Sequence, residues 1–305
     1  MKNSSYLGLD LGGTQIKAAV INLEGELLAS RIEPTPSDRQ VDETVKKLAE
    51  LASDMLQSHP EIHSIGVGSP GLVDSERRII RISPNFPAWR DVALASLLFA
   101  ELQIPVQLEN DVNCFGLAEH RWGAGRSGKQ ILALAIGTGV GGALILEGKL
   151  YRGATGAAGE LGHVSVDLWG PRCSCGNFGC IERYLGEKWF THAARERLQD
   201  DSISSPEEVS ERANRGDVTA IGFIQERGEI LGAACVSFIN ALDPEVIIIG
   251  GGISQAGDPL FEGIRRAVQN RAYSEQTKRV KIVPAQLGAY AGAMGAASLT
   301  MDCSI

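Results

Sequence analysis

A strand-turn-strand unit with a Gly-Thr turn occurs twice in this sequence, and this repeat limits the possible folds more than any other feature. In the first copy, the apolar strand Tyr6 to Leu9 ends at Asp10, and the returning strand is Gln15 to Ile21. Bare glycine backbone lets amides approach a phosphate, and a carboxylate at a strand end suits a hydrated Mg²⁺. A single hairpin of this kind is a weak signal, because most such turns bind no ligand. The turn residues of this copy are Gly12, Gly13 and Thr14.

The second copy has the same order of strand, turn and strand, with strands at Ala133 to Ile136 and at Gly141 to Leu146. Both copies continue into a further glycine turn, at Gly25 and at Gly148. We interpret the repeat as an internal duplication. Two phosphate-binding hairpins that face each other across a cleft predict a bound nucleotide far more specifically than one does. The turn residues of the second copy are Gly137, Thr138 and Gly139.

A cluster of potential metal ligands lies between Gly156 and Glu182. Three cysteines follow an imidazole within a short stretch, which predicts a closed tetrahedral zinc site. Four protein ligands leave no open position, so the ion is expected to be structural. The alternative is a local disulfide, but cysteines separated by one residue form a strained bridge, and the composition is typical of an intracellular protein. The four predicted ligands are His163, Cys173, Cys175 and Cys180.

Glu160 lies three residues before His163, so both side chains lean to the same side of a helical turn. An imidazole that binds zinc through one nitrogen still has a second nitrogen for another ligand. We therefore expect Glu160 and His163 to face the same ligand.

The net charge of -8, from 29 basic and 37 acidic residues, argues against nucleic acid as the partner. The first ten residues enter a strand at once, which leaves no room for a signal peptide. No apolar run approaches the roughly 20 residues of a membrane span. We expect a cytoplasmic protein without membrane contact, with reduced thiols at Cys114, Cys235 and Cys303.

The short strand Val106 to Leu108 is followed by Glu109, Asn110 and Asp111, where a helix begins. Open α/β sheets place ligand-binding side chains at such strand ends. Asp111 is either the N-cap of this helix or, if Asn110 or Asn113 is the cap, a general base. The loop Pro84 to Trp89 suits a sugar-binding rim and a plain surface loop equally well.

Two other glycine-rich stretches differ in what they predict. Gly123 to Gln130 matches G-x-G-x-x-G and nearly matches a P-loop, but the order around it is helix before and strand after, so we interpret it as a connector. The strand Val246 to Ile249 ends in three glycines, an arrangement typical of backbone that contacts a nucleotide base or ribose. These glycines are Gly250, Gly251 and Gly252.

Together these motifs resemble the ROK family of sugar kinases and sugar-responsive repressors, from about residue 6 to residue 299. The zinc motif followed by Glu182 is highly specific to that family. The resemblance implies an α/β protein with the actin-like ATPase (ribonuclease H-like) fold, in which two α/β domains surround a cleft. The small N-terminal domain is expected at 1–122, with a C-terminal helix, 289–305, returning to it. The large domain with the zinc site is expected at 123–288.

The resemblance further implies ATP-dependent phosphorylation of a hexose on its 6-hydroxyl, with Mg²⁺, commonly by a homodimer. Asp111 resembles the catalytic base of the family. It accepts the proton of the sugar hydroxyl as that hydroxyl attacks the γ-phosphoryl group. The sugar ligands that the resemblance implies are Asn85, Asn110, Asp111, Glu160, His163 and Glu182.

Glucose is the first choice of substrate, by family frequency rather than by any residue. N-acetylglucosamine, N-acetylmannosamine and fructose are the alternatives. A repressor is expected to carry a helix-turn-helix domain ahead of the first phosphate motif, and only nine residues precede Asp10. A sugar-binding module without catalysis is expected to lose Asp111 or a hairpin, and all of these are present.

Overall fold

The computed structural model describes residues 4–301, which form two α/β units. The first unit runs to Ser127 and also contains Leu150–Ala158 and the chain from Gln286 onwards. The second unit consists of Gly128–Lys149 and Gly159–Ala285. The expected boundary after residue 122 thus lies slightly before the division, and the return of Leu150–Ala158 to the first unit was not expected. Cys303 and the end of the expected helix 289–305 lie outside the described residues.

Strands and helices alternate along the described chain. The strands are Tyr6–Leu11 (β1), Gln15–Ile21 (β2), Leu27–Pro34 (β3), Ile65–Ser69 (β4), Leu72–Asp74 (β5), Ile79–Ile82 (β6), Arg90–Val92 (β7), Val106–Asn110 (β8), Ile131–Ile136 (β9), Val140–Leu146 (β10), Lys149–Leu150 (β11), Val246–Gly250 (β12) and Lys281–Pro284 (β13). The α-helices are Val41–Ser58 (α1), Leu94–Leu102 (α2), Asp111–Arg121 (α3), Glu182–Leu185 (α4), Glu187–Leu198 (α5), Pro206–Asn214 (α6), Val218–Leu242 (α7), Asp258–Arg271 (α8) and Ala291–Ser298 (α9).

Each unit contains a five-stranded sheet of the same topology. The order is β3-β2-β1-β4-β8 in the first unit and β11-β10-β9-β12-β13 in the second. In both, an antiparallel hairpin is followed by parallel strands. The matching strand orders confirm the internal duplication that the two hairpins indicated.

Helix α9 packs directly on the sheet of the first unit because small residues face each other there. A Cβ atom on Gly8 of β1 would lie 1.9 Å from the carbonyl oxygen of Ala293, and one on Gly66 of β4 would lie 1.8 Å from that of Ala296. A Cβ on Gly295 of α9 would likewise lie 1.7 Å from the carbonyl oxygen of Cys114 on α3. Only glycine at these positions allows the backbones to approach this closely.

A three-stranded antiparallel sheet, in the order β5-β6-β7, adds to the first unit. The loop before β7 carries Phe86 and Trp89, whose rings are fully buried and lie 4.5 Å apart. The indole nitrogen of Trp89 donates a hydrogen bond to the carbonyl oxygen of Arg39 at 3.0 Å. The two aromatic residues therefore belong to the core, which neither the rim nor the surface interpretation of this loop anticipated. Within residues 4–301, no helix is both long and apolar enough to cross a membrane.

Candidate functional site

The first Gly-Thr turn is held in place by the end of β3 and by Asn85. The hydroxyl of Thr35 donates to the carbonyl oxygen of Gly12 at 2.8 Å, and the amide of Gly12 donates to Gln15 at 2.9 Å. A Cβ on Gly13 would lie 2.6 Å from Nδ2 of Asn85. A side chain at Gly13 would displace the amide group of Asn85, so this predicted sugar ligand lies directly against the turn.

Asp10 lies on β1, opposite Lys17 of β2. Its carboxylate contacts α9, where a Cβ on Gly292 would lie 2.6 Å from Oδ2. Burial raises the pKa of Asp10 from its usual 3.8 to about 6, and the positive charge of Lys17 partly opposes this shift. A carboxylate that loses hydration in this way gains from a cation, so Asp10 fits a Mg²⁺ site.

The junction between β8 and α3 carries the predicted base. Oδ1 of Asn110 accepts hydrogen bonds from the amides of Val112 at 2.9 Å and Asn113 at 3.0 Å, so Asn110 is the N-cap. Asp111 is the first residue of α3, and its carboxylate also accepts from the amide of Val112. Because Asn110 caps α3, the condition attached to the second interpretation of Asp111 is met, and its role as a general base stays a prediction.

Sequence reasoning missed a role for Glu109, which lies one residue before the cap. Its carboxylate is buried and accepts four hydrogen bonds. The donors are the amide of Asn110 at 2.8 Å, Nδ2 of Asn113 at 3.0 Å, the hydroxyl of Ser75 at 3.0 Å and Nε of Arg152 at 2.6 Å. A glutamate directly before an Asn-Asp pair at a strand end is the signal that points to it.

Three carboxylates share the surroundings of Cys114 on α3. Burial raises the pKa of this thiol well above its usual value, and the charges of Glu109, Asp10 and Asp111 raise it further. Arg152 lowers it. The thiol thus stays protonated, and Arg152 is a cation that offsets this group of negative charges.

In the second unit, the second Gly-Thr turn is bound to the start of α4. A carboxylate oxygen of Glu182 accepts a hydrogen bond from the amide of Val140 at 3.1 Å. A Cβ on Gly139 would lie 2.5 Å from the same oxygen. The amide of Glu187 on α5 donates to the carbonyl oxygen of Gly137 at 2.9 Å. Glu182, predicted only as a sugar ligand, therefore also fixes the turn.

The three glycines at the end of β12 and directly after it lie beside that turn. Gly251 has a positive φ of 86°, and a Cβ on it would lie 2.3 Å from the carbonyl oxygen of Ile136, the last residue of β9. Gly252 begins a short 3-10 helix. The structure therefore brings Gly250–Gly252 and the predicted phosphate turn of the second unit to neighbouring strand ends.

The four predicted zinc ligands come together in the second unit, with their donor atoms all within 4.8 Å of one another. Nδ1 of His163 lies 3.6 Å from Sγ of Cys173. The sulfurs of Cys175 and Cys180 are 3.7 Å apart, too far for a disulfide, in which they are about 2.05 Å apart. One imidazole and three thiols at these separations fit a tetrahedral zinc ion.

The thiols of the cluster have unequal affinities for protons. Burial raises the pKa of Cys173, but hydrogen bonds with Cys175, His163 and Cys180 outweigh this and lower it to about 7. Burial is also the largest cause that raises the pKa of Cys180, to about 12, and the neighbouring thiols add to it. A divalent cation would offset the mutual repulsion of the three thiolates, as this donor set requires.

Glu160 and His163 lie at the two ends of one tight turn. The 3-10 helix Leu161–His163 begins after Glu160, and the amide of His163 donates to the carbonyl oxygen of Glu160 at 3.1 Å. A Cβ on Gly162 would lie 1.9 Å from the carbonyl oxygen of Val140 on β10, so the turn packs tightly on that strand. Nδ1 of His163 faces the cysteines, so Nε2 is the nitrogen to which the predicted second ligand of this ring would bind.

The chain is similar to known proteins over nearly its whole length. The model of the ROK family matches residues 6–302. The chain is 34% identical to a glucokinase of Thermotoga maritima, over 99% of both chains. It is 29% identical to the xylose repressor of Bacillus subtilis, over 99% of this chain and 78% of the repressor.

Among solved structures, a ROK family glucokinase from Streptomyces griseus, in complex with glucose and AMPPNP, is 30% identical to this chain. The two structures align with a TM-score of 0.86, over 97% of this chain and 98% of the other. This similarity confirms the α/β fold class that the sequence motifs implied.

Proposed function

Because the chain belongs to the ROK family, we propose that it is an ATP-dependent hexokinase that phosphorylates the 6-hydroxyl of glucose. The observation that carries the proposal is the full-length similarity to glucokinases, one of which was solved with glucose and an ATP analogue. The chemistry of the residues supports it, since the chain contains both glycine turns, the candidate base and the candidate sugar ligands.

In the first unit, we assign Asp111 as the general base that accepts the proton of the attacking hydroxyl. Asn110 caps α3 through Oδ1, and its Nδ2 donates to the carbonyl oxygen of Gly71 at 3.1 Å. This pair of contacts supports a fixed orientation of the amide beside a sugar hydroxyl. Asn85, held against the turn at Gly13, is assigned to the sugar as well.

Phosphate contacts are assigned to backbone amides in both units. The amides of Gly12 and Gly137 close their own turns by hydrogen bonds to Gln15 and Gly139, so the phosphate contacts are assigned to the remaining amides of Gly12–Thr14 and Gly137–Gly139. Gly250–Gly252 are assigned to the nucleoside. Asp10 is assigned to hydrated Mg²⁺, which neutralises charge on the transferring phosphoryl group when it is bound.

In the second unit, Glu160, Nε2 of His163 and Glu182 are assigned to sugar hydroxyls. Glu182 uses one carboxylate oxygen for the amide of Val140, so its other oxygen is assigned to the sugar. Zinc would be held by Nδ1 of His163 and the three cysteine sulfurs. The ion would supply no chemistry of its own, but would fix the imidazole ring and the turn that carries Glu160.

The remaining parts of the proposal come from the resemblance and the composition. They are a homodimer, a cytoplasmic location and the absence of a nucleic-acid partner. The net charge of -8 supports the last of these.

A coupled assay with a panel of hexoses tests the proposal. Initial rates at fixed MgATP are compared for glucose, mannose, fructose, N-acetylglucosamine and N-acetylmannosamine. We expect the highest kcat/KM with glucose. A clear preference for an N-acetylated sugar or fructose would replace the substrate but keep the kinase mechanism, whereas no turnover with any hexose would overturn both.

A sugar-responsive repressor is the second candidate, because the similarity to the xylose repressor also spans nearly the whole chain. A repressor without kinase activity would still bind a sugar. Sugar binding by calorimetry, without turnover in the panel, would favour this candidate.

A further inference from the structure

Glu109 is the most completely bonded carboxylate near the proposed base. Its side chain is 2% exposed, and each oxygen accepts two hydrogen bonds. A buried carboxylate is costly unless it is paired and fully hydrogen-bonded, and a charged arginine is the strongest of its four partners. An arrangement of this cost needs an explanation beyond stability, because a well-packed apolar side chain would serve stability equally well.

One carboxylate oxygen controls the start of α3. Oε1 accepts hydrogen bonds from the amide of Asn110 and from Nδ2 of Asn113. The first donor lies directly before the proposed base, and the second lies in the first turn of the helix directly after it. The backbone position of Asp111 lies between these two contacts. Glu109 therefore limits how far Asp111 can shift relative to β8.

The other oxygen binds two distant parts of the chain. Oε2 accepts from the hydroxyl of Ser75, just after β5, and from Nε of Arg152, in the segment Leu150–Ala158. That segment is a closed loop, because the amide of Ala158 donates to the carbonyl oxygen of Arg152 at 3.1 Å. Two residues after Ala158, the chain reaches Glu160. The ion pair thus anchors the segment that leads to the turn with a proposed sugar ligand.

We propose that Glu109 and Arg152 are positioning residues for phosphoryl transfer. Together they hold the backbone of Asn110 and Asp111 in the position that the reaction needs. Neither residue is assigned a contact with the substrate. The inference rests on the proposed function, in which Asp111 is the base. A merely structural ion pair would change stability without changing the rate per folded molecule.

Three variants test this inference by steady-state kinetics with glucose and MgATP. Glu109→Gln keeps the volume of the side chain but removes its charge and one acceptor. Arg152→Met keeps most of the aliphatic length of the side chain. Because the side chain of Arg152 is 42% exposed, this substitution does not disturb the core. The double variant Glu109→Gln/Arg152→Met shows whether the two residues act as one unit.

We expect each single variant to lower kcat by roughly 10- to 100-fold, the loss expected from misplacing a catalytic group by about 1 Å. The KM for ATP should stay within about twofold, since uniform binding of the nucleotide is unaffected. The double variant should be no slower than the slower single variant, because both substitutions break the same pair. Arg152→Lys should recover part of kcat, since it restores the charge without the planar guanidinium.

The matched control is Arg31→Met, which breaks an ion pair of the same 2.6 Å length with Asp54 in the first unit. This pair lies on α1 and β3, away from the β8-α3 junction, so kcat should not change. Melting temperatures are measured for all variants, and kcat is expressed per folded molecule. If Glu109→Gln fails to fold, Arg152→Met and Arg152→Lys still decide the question.

Two results would overturn the inference alone. One is a kcat for Arg152→Met within twofold of the wild-type value, and the other is a double variant whose loss is the product of the single losses. A wild-type protein and an Arg31→Met control that are both inactive with every hexose would instead overturn the proposed function, and this inference with it.

Discussion

Asn110 and Asp111 have separate roles at the start of α3, the first as the helix cap and the second as the proposed base. The amide oxygen of Asn110 caps α3 with two hydrogen bonds, so the helix start does not depend on Asp111 for its cap. Replacement of Asp111 should consequently separate catalysis from stability.

We predict that Asp111→Asn keeps the fold and binds ATP but loses most phosphoryl transfer. The amide has nearly the same shape as the carboxylate but cannot accept the proton, and a general base contributes roughly 100- to 10,000-fold. Single-turnover rates and a melting curve check this. Asn110→Ala, in contrast, should cost about 1 kcal/mol of stability through loss of the cap, and it also removes a proposed sugar ligand. Near wild-type turnover in Asp111→Asn would show that this residue is not the base.

The raised pKa of Asp10 predicts that, without Mg²⁺, the contribution of this residue to the free energy of unfolding depends on pH. The folded-state pKa of about 6 exceeds the usual 3.8, so the folded protein binds more protons than the unfolded chain between these values. The stability contributed by the protonated form is complete below pH 3.8 and is lost as pH rises through 6.

Asp10→Asn should therefore stabilise the metal-free protein at pH 8, by at most about 3 kcal/mol, and by much less at pH 4. Denaturant unfolding at both pH values, with EDTA present, measures the difference. Added Mg²⁺ should raise the stability of the wild type and leave Asp10→Asn unchanged. Equal effects of the substitution at the two pH values would contradict the assignment.

At the scale of elements, the segment from Leu161 to Glu182 connects the turn of Glu160 to α4 and carries the four proposed zinc ligands. The chain from Leu161 to Glu182 contains little regular structure apart from its first and last turns, and two isolated bridges link its parts. Leu168, Trp169 and Phe178 in its middle are exposed, so the ion would supply much of the folding free energy of that part.

We predict one zinc ion per chain in the purified protein, and a loss of thermal stability and activity together in Cys175→Ser. Structural zinc can contribute on the order of 10 kcal/mol to the folding of a small site. Metal analysis and melting curves test this, with the zinc content of Cys235→Ser as the control, since Cys235 lies on α7 outside the cluster. Full activity in a protein that holds no zinc would refute the prediction.

The elements that could be predicted from the sequence are those that depend on residues close together in the chain. Both hairpins were predictable because glycine turns between apolar strands are read from adjacent residues, and the order of helix and strand around Gly123 to Gln130 correctly excluded a P-loop. The ion pair of Glu109 with Arg152 was not predictable, because it joins residues 43 positions apart. The burial of Phe86 and Trp89 depends likewise on tertiary packing that no local pattern encodes.

At the scale of the whole molecule, the second unit holds both a proposed nucleotide site and proposed sugar ligands. The turn of Glu160 packs on β10, and Gly251 lies against the end of β9. These strands form one antiparallel pair, yet the two groups of residues bind different substrates in the proposal.

We predict that Glu160→Gln raises the KM for glucose far more than the KM for ATP. The substitution keeps the volume and the tight turn but leaves a sugar hydroxyl with a poorer partner, and sites that bind a hydroxyl discriminate strongly when a partner is lost. Initial rates with each substrate varied in turn provide the test. Equal increases in both KM values would indicate a general disturbance of the second unit instead.

Helix α9 has a consequence for how this protein is made. The first unit takes its sheet from the beginning of the chain, but the face of β1 and β4 at Gly8 and Gly66 is covered by residues 291–298. During synthesis, at roughly 5–20 residues per second, that face must wait until residues 291–298 have left the ribosome. The second unit has most of its sequence available earlier, so the nascent chain would mature in an order opposite to that of its sequence.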